Sequence, residues 1–364
     1  MCFANAGYPL LLYLRARFWS NPIRKGTIFP RVTILLAAHN EEKNLPVKLA
    51  NLATLDYPSD LLDVVVVSDG STDGTDKILK DWEGPGRRSI HLAAHGGKAV
   101  ALNAGMAAAT GEIVVFTDAR QAIATDALKS LVANFTDPSV GCVSGELMLH
   151  EKQGAGSAQG VGLYWRIEKN IRHWEGLSGS TVGATGALYA VRTKLLRPLP
   201  EDLILDDVYI PLQVVRQGQR VVFEPEARAW DDFVPTGKQE FRRKLRTLSG
   251  NYQLLQLAPW TLTPSNPLLL EFICHKLLRL LVPFALLSLL VSTFWLREGF
   301  YGIVLVLQLC FYALAGLGVL RVPLGILSRL SNISLAFAVL NVAAGMAFVY
   351  FILGRKIIWR AQEV

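Results

Sequence analysis

The chain has 364 residues, 51% of them apolar, with a mean hydropathy of +0.31 and a formal net charge of +7. That is too apolar for an ordinary soluble enzyme, and the length leaves room for one large domain with an appendage. The basic residues accompany no nucleic-acid-binding motif, and Cys2, Cys142, Cys274 and Cys310 show no metal or disulfide spacing, so neither a nucleic-acid partner nor a disulfide framework is expected.

Residues 7–13 read as the end of a membrane segment or as one lying in the interface, which gives a partial or interfacial N-terminal segment at 1–16. A cleaved signal peptide does not fit, because Arg15 and Arg17 follow the apolar run. Residues 17–265 then alternate strand and helix. Strands are expected at 31–38, 62–68, 89–93, 112–117 and 140–149, with helices at 40–55, 74–82, 98–108 and 125–134. This order predicts an α/β domain with a mostly parallel sheet and helices on both faces.

Four consecutive valines, Val64 to Val67, mark a strand buried on both sides. It ends at Asp69 on a Gly/Ser/Thr turn, and the 112–117 strand likewise ends at Asp118. Acids at the carboxyl ends of parallel strands lie where open α/β sheets bind ligands. Two of them suit a nucleotide and its metal. They are a poor match for a redox cofactor, since neither strand leads into Gly-x-Gly-x-x-Gly. Lys98 sits on a Gly-Gly turn opening a helix, a place where anions bind, though a solvated lysine has the same pattern.

Further along, a helix is expected at 161–177, a turn-rich stretch at 178–186, strands at 189–191 and 220–224, and a helix at 208–216 behind the acidic pair Asp206-Asp207. In the 239–257 helix, Phe241, Leu245, Leu248, Tyr252 and Leu255 form one apolar face. Its other faces carry Lys238, Arg242, Arg243, Lys244 and Arg246, a pattern that also fits a membrane-surface helix. Residues 266–364 form a membrane domain with about three spans, at 272–296, 300–320 and 333–353. Cations beside the first span place the preceding domain on the cytoplasmic side, most simply of a plasma membrane. Three spans then put Arg355, Lys356 and Arg360 outside, against that rule, unless one segment is re-entrant or interfacial.

The motifs Ala37-Ala38-His39-Asn40-Glu41-Glu42, Ser68-Asp69-Gly70-Ser71-Thr72-Asp73, Gly97-Lys98-Ala99-x-Ala101-Leu102-Asn103-x-Gly105, Thr117-Asp118-Ala119 and Leu205-Asp206-Asp207-Val208 resemble the family 2 glycosyltransferases. With the later basic helix they resemble the membrane-integrated branch that includes hyaluronan, cellulose and poly-N-acetylglucosamine synthases. The resemblance implies a GT-A-like fold and polysaccharide biosynthesis: inverting transfer from a UDP-sugar to a lipid-linked or growing glycan acceptor. It implies that Asp69 accepts a hydrogen bond from uracil, and that Ala38 and Glu41 line the uridine pocket. For Glu41 a helix-dipole acid is the competing reading, and for Asp69 a helix cap. It implies that Lys98 lies near the nucleotide and that Asp118 ligates Mg²⁺ or Mn²⁺. Here the usual Asp-x-Asp has become Asp118-Ala119-Arg120, so Arg120 faces phosphate instead of metal. Asp207 corresponds to the catalytic base, with Asp206 beside it. Arg243 and Arg246 stand where the family has Gln-x-x-Arg-Trp, without the Trp, and would hold the diphosphate. Gly183, Thr185 and Gly186 correspond to the acceptor-side loop, or form an ordinary glycine turn. Competing functions are single-sugar transfer to a polyprenyl phosphate or lipid, and a noncatalytic nucleotide-sugar-binding membrane protein. A transporter fails on span count.

Overall fold

The computed structural model describes residues 7–149, 158–231, 237–320, 325 and 327–354; the side chains of 149 and 158–166 fall outside the described set. Its centre is an eight-stranded sheet of β1 (Val32–Ala38), β2 (Leu62–Asp69), β3 (Arg87–Leu92), β4 (Ile113–Asp118), β5 (Ala122–Ile123), β6 (Val140–Leu149), β7 (Leu188–Arg192) and β8 (Arg220–Asp231). The order is β3-β2-β1-β4-β7-β6-β8-β5. β1 pairs in parallel with β2 and β4, and β2 with β3. β1 and β2 are apolar on both faces and almost wholly buried, as a parallel sheet covered on each side requires.

The far half of the sheet departs from the parallel expectation. β7 enters antiparallel between β4 and β6, β6 and β8 run parallel, and the short β5 lies antiparallel on β8. Leu188 to Val191 is a run of buried residues, and such a run carries no information about strand direction.

Helices α2 (Leu45–Ala53), α3 (Thr75–Trp82), α4 (Lys98–Ala108) and α5 (Ala127–Ala133) cover the sheet. α2 starts five residues later than the sequence suggests. Pro46 fits the first turn, where its missing N–H has no helical partner in any case, and residues 40–44 form a turn held by side chains. α6 (Ala158–Ser178) and α7 (Asp206–Arg216) follow, then α8 (Gly237–Leu257).

The remaining helices are α9 (Leu269–Phe272), α10 (Leu278–Leu296), α11 (Gly299–Val319) and α12 (Leu327–Ile352), with a π-helical turn Ile273–Leu277 joining α9 to α10. Leu269–Leu296, Gly299–Val319 and Leu327–Ile352 are each long and apolar enough to cross a membrane. The first helix, α1 (Tyr8–Phe18), has only 11 residues. It buries Tyr8 and Leu12 against Ile171 of α6 and Cys274 of the π turn, while Leu10, Leu11, Phe18 and Trp19 stay exposed. Arg355, Lys356 and Arg360, on which the topology argument turned, lie outside the described residues.

α8 joins the two parts of the molecule. One face buries Leu245, Leu248 and Tyr252 against Ala343, Ala344 and Ala347 of α12. On the other side Gly250 lies against Leu205, so close that a Cβ there would fall 2.5 Å from the Leu205 Cγ. Gln253 completes the joint: it accepts from the Ile204 N–H at 3.0 Å and donates to the Asp202 carbonyl at 2.7 Å.

Candidate active site

The carboxyl ends of β1, β2 and β4 converge, and the turns beyond them are tied together through side chains. Asn40, at a positive φ of 55°, accepts from the Thr72 N–H at 2.8 Å. The Glu41 N–H donates to Thr75 Oγ1 at 2.9 Å, and Glu42 exchanges contacts with Asp73 and Gly74. Asp73 serves as the cap, accepting from the Thr75 N–H at 3.0 Å. Gly70 lets a second turn approach: its φ is +58°, and a Cβ would lie 2.3 Å from the His95 nitrogen.

Asp69 is fully buried at the end of β2. Its two carboxylate oxygens accept from the Gly96 and Gly97 N–H groups, each at 2.8 Å, and His95 Nδ1 lies 2.8 Å away. This carboxylate therefore shapes the turn that delivers Lys98. His39 and His95 stack at 4.0 Å, and His39 Nδ1 donates to the Asp69 carbonyl at 2.7 Å. Ligand atoms of His39, Asp69 and His95 lie within 4.8 Å of one another, a donor set suited to a transition metal. The sequence reading gives neither histidine a role, although His39 stands in the first motif.

Lys98 is the central cation. Its ammonium lies 3.0 Å from Asp118 Oδ1 and 3.2 Å from Asp206 Oδ1. Burial opposes its charge, but Asp118, Asp206 and Asp207 together push its pKa up. One lysine thus connects the strand-end carboxylate of β4 to the acidic pair opening α7. Asp206 is buried and also accepts from the Tyr189 hydroxyl at 3.2 Å. Burial, and then the neighbouring Asp206 charge, raise the pKa of Asp207, against the lowering fields of Lys98, Lys276 and Arg172. A carboxyl so placed is suited to accepting a proton.

Gly183 and Gly186 lie directly against Asp207, and Thr185 belongs to the same loop. Its backbone carbonyl accepts from the Ala184 N–H at 2.7 Å, and a Cβ at Gly186 would be 3.2 Å from Asp207 Oδ2. Thr185 is held by Ser144, whose hydroxyl accepts from the Thr185 N–H at 2.9 Å, and by Arg172, which donates to Thr185 Oγ1 at 2.7 Å.

On the other side of Lys98, Asp118 has its side chain 39% exposed, and only Oδ1 is engaged among the described residues. A half-open carboxylate with a spare oxygen fits a hard divalent cation shared with phosphate oxygens. Arg120 points elsewhere, to a bidentate pair with Asp231 at 3.1 and 2.7 Å, and Gln121 joins the same carboxylate at 2.9 Å. Glu41 is brought near Asp118 and Arg120, and burial raises its pKa. Ala38 ends β1 opposite Ser68, fully buried. Beneath Asp118 lies Lys48, 2% exposed, donating to Thr117 Oγ1 at 2.8 Å and to the Gln121 carbonyl at 2.7 Å. Burial pulls its pKa down to about 7. Its signal in the sequence is a lysine on the apolar stripe Leu45, Leu49, Leu52.

Arg243 pairs with Glu240 at 2.9 Å within α8, and Lys244 meets the same carboxylate at 3.2 Å. Arg246 is half-buried one turn ahead of Gly250, which packs against Leu205 just before the acidic pair.

Residues 33–197 match the family described as Glycosyl transferase family 2. The chain is 25% identical over 235 residues to the poly-beta-1,6-N-acetyl-D-glucosamine synthase of Staphylococcus epidermidis, covering 63% of this chain and 56% of that protein. It is 26% identical over 230 residues to the synthase of the same name from Staphylococcus aureus strain COL, covering 62% and 55%. The match thus spans little more than half the length of these relatives. Among solved structures, the mannosyltransferase PcManGT from Pyrobaculum calidifontis, in complex with GDP-Man and Mn²⁺, superposes with a TM-score of 0.71 at 26% identity over 97% of each chain. The expected GT-A-like α/β architecture with C-terminal apolar helices is therefore a shared one, and residues 33–197 of this chain are a glycosyltransferase family 2 domain.

Proposed function

We propose that the chain is a membrane-bound inverting glycosyltransferase, moving a sugar from a UDP-linked donor to a hydroxyl of a lipid-linked or growing glycan acceptor. The observation that carries this is Lys98, which holds Asp118 on the donor side and Asp206 on the acceptor side within one cleft, beside the desolvated Asp207. In this reading the acceptor hydroxyl gives its proton to Asp207 and its oxygen bonds to the anomeric carbon. The bond from that carbon to the diphosphate oxygen breaks, and the nucleoside diphosphate leaves with the electron pair. Lys98 and Arg246 counter the leaving charge. A divalent cation, Mg²⁺ or Mn²⁺, would be held by Asp118 with the donor diphosphate and would neutralise the same charge. The three apolar helices support membrane insertion, and the cations flanking them support a cytoplasmic catalytic domain at the plasma membrane.

A GDP-linked donor is the second reading, favoured by the GDP-Man complex of the solved mannosyltransferase. Nucleotide release from a panel of UDP- and GDP-sugars, with Mn²⁺ and the purified chain, separates the two. Asp207→Asn should slow release by roughly 10²-fold or more, the usual contribution of a general base, while donor affinity is kept. Turnover above about a tenth of wild type would remove Asp207 from that role, and release from no donor would overturn the transferase reading.

A further inference from the structure

Lys48 is the only charged residue of α2, and it sits on the buried face of that helix with Leu45, Leu49 and Leu52. Burying an amine is unfavourable unless its hydrogen bonds are made, and a leucine or methionine would fill the same space without that cost. Both contacts of Lys48 are to uncharged oxygens, Thr117 Oγ1 and the Gln121 carbonyl, and it forms no ion pair among the described residues. Charge pairing therefore does not account for it. An ammonium has three N–H groups and an amine keeps two, so either form can make both bonds.

What the two bonds hold is the strand end that carries Asp118. Thr117 is the residue before Asp118, and Gln121 is the last before β5. One nitrogen thus closes both ends of the segment containing Asp118, Ala119 and Arg120. Thr117 passes the contact on: its oxygen accepts from Lys48, and its own proton goes to the Ala187 carbonyl at 2.9 Å. Ala187 follows Gly186, which adjoins Asp207 Oδ2. Asn51, one helical turn further along α2, grips the same segment beyond Gln121. Its amide donates to the Ile123 carbonyl at 2.9 Å, and its oxygen accepts from the Ile123 N–H at 2.8 Å.

We propose that Lys48 is a positioning residue: it sets Asp118 for the divalent cation and, through Thr117 and Ala187, keeps the acceptor loop in step with it. This rests on the transferase reading for what Asp118 and Asp207 do, and it adds the residue outside the cleft that fixes one relative to the other. Lys48 hydrogen-bonds to neither carboxylate, so its effect runs through the backbone it holds.

The test uses the full chain in detergent and two variants. Lys48→Met keeps the bulk of the stem and loses the N–H groups. Mn²⁺ is titrated in the presence of whichever of UDP and GDP binds, read from the electron paramagnetic resonance signal of the free ion. Lys48→Met should weaken Mn²⁺ by roughly three- to tenfold, the contribution of one hydrogen bond, with affinity for the matching nucleoside within about twofold of wild type. Amide hydrogen exchange should quicken at residues 118–123 and 183–187 and stay as it is at 69–75. Unchanged Mn²⁺ affinity, an equal fall in nucleoside affinity, or exchange quickened alike in all three segments would overturn the role. Should Lys48→Met not fold, Thr117→Val carries the test. It cuts the link to Ala187 while Gln121 stays held, so exchange should quicken at 183–187 more than at 118–123, and an unchanged 183–187 would overturn the relay. Nucleotide release is followed in the same samples. Mn²⁺ weakened by Lys48→Met, with no release from any donor by wild type, would sink the transferase reading and leave the positioning role standing. Binding of neither nucleotide, or of no Mn²⁺, by wild type would overturn both.

Discussion

At the scale of single residues, the site is a set of charges whose ionisation is decided by burial and by one another. In the proposed reaction Asp207 needs its carboxylate free to accept a proton, yet burial and Asp206 favour the protonated form. The acid limb of the kcat/KM profile should therefore lie above pH ~4, where an unperturbed carboxyl titrates. Lys98 is the first of the cations that oppose the rise. Lys98→Met should move the limb to still higher pH, and an unmoved limb would separate the lysine from the base. Lys48 carries a second pH effect, on stability. Its pKa is about 7 in the fold, against roughly 10.4 in an unfolded chain. Between those values the unfolded chain binds more protons, so this residue's contribution rises with pH across the window and is least favourable below about 7. Lys48→Met should flatten the rise in thermal midpoint between neutral and mildly alkaline pH. Parallel curves for the two proteins would show that Lys48 is already neutral, or still charged, throughout.

At the scale of elements, function depends on turns whose geometry is set by side chains. Gly70 is the tightest case. A methyl group there meets the backbone of residues 94 and 95, and its φ of +58° disfavours any other residue. Gly70→Ala should cost about 1–3 kcal/mol in a denaturant titration and raise the donor KM, because the Asp69 contacts that place Lys98 lie on the same turn. A stable variant with unchanged KM would mean that the turn is free to move. This part of the site was legible in the sequence: a strand of valines, an acid at its end and a Gly-Gly-Lys helix start each have a local cause. Long-range pairings were not. The attachment of Arg120 to Asp231, 111 residues away, needs β8 to continue past Glu224 to Asp231. Pro225, Glu226 and Arg228 hide that continuation, because they interrupt the strand pattern at a register shift against β6. The antiparallel entry of β7 was hidden for a related reason, since a fully apolar run pairs equally well in either direction. His95 and His39 lie 56 residues apart and meet only because β1 and β2 are neighbours.

At the scale of the whole molecule, α8 is the element through which the apolar helices and the catalytic cleft constrain each other. Its alanine-lined contact with α12 and its Gly250 contact with Leu205 lie on the same helix, and Leu205 immediately precedes the acidic pair. Small residues allow that close approach, as they do between helices in lipid. Tyr252 ties the helix further, its hydroxyl donating to the Leu280 carbonyl at 3.3 Å. A change in the α8–α12 contact should therefore reach Asp206 and Asp207 through a rigid helix, while leaving the nucleotide end of the sheet in place. Ala344→Phe tests this, because Ala344 is 2% exposed and a ring has no room there. Overpacking of this kind costs about 1–3 kcal/mol, and the helix is expected to shift away from α12 to relieve it. The expected outcome is a lower thermal midpoint and a fall in acceptor kcat/KM of roughly tenfold, the equivalent of about 1.4 kcal/mol, with uridine affinity within twofold of wild type. A loss of uridine affinity in proportion would place the nucleotide pocket, and not the acceptor side, under the control of the membrane helices.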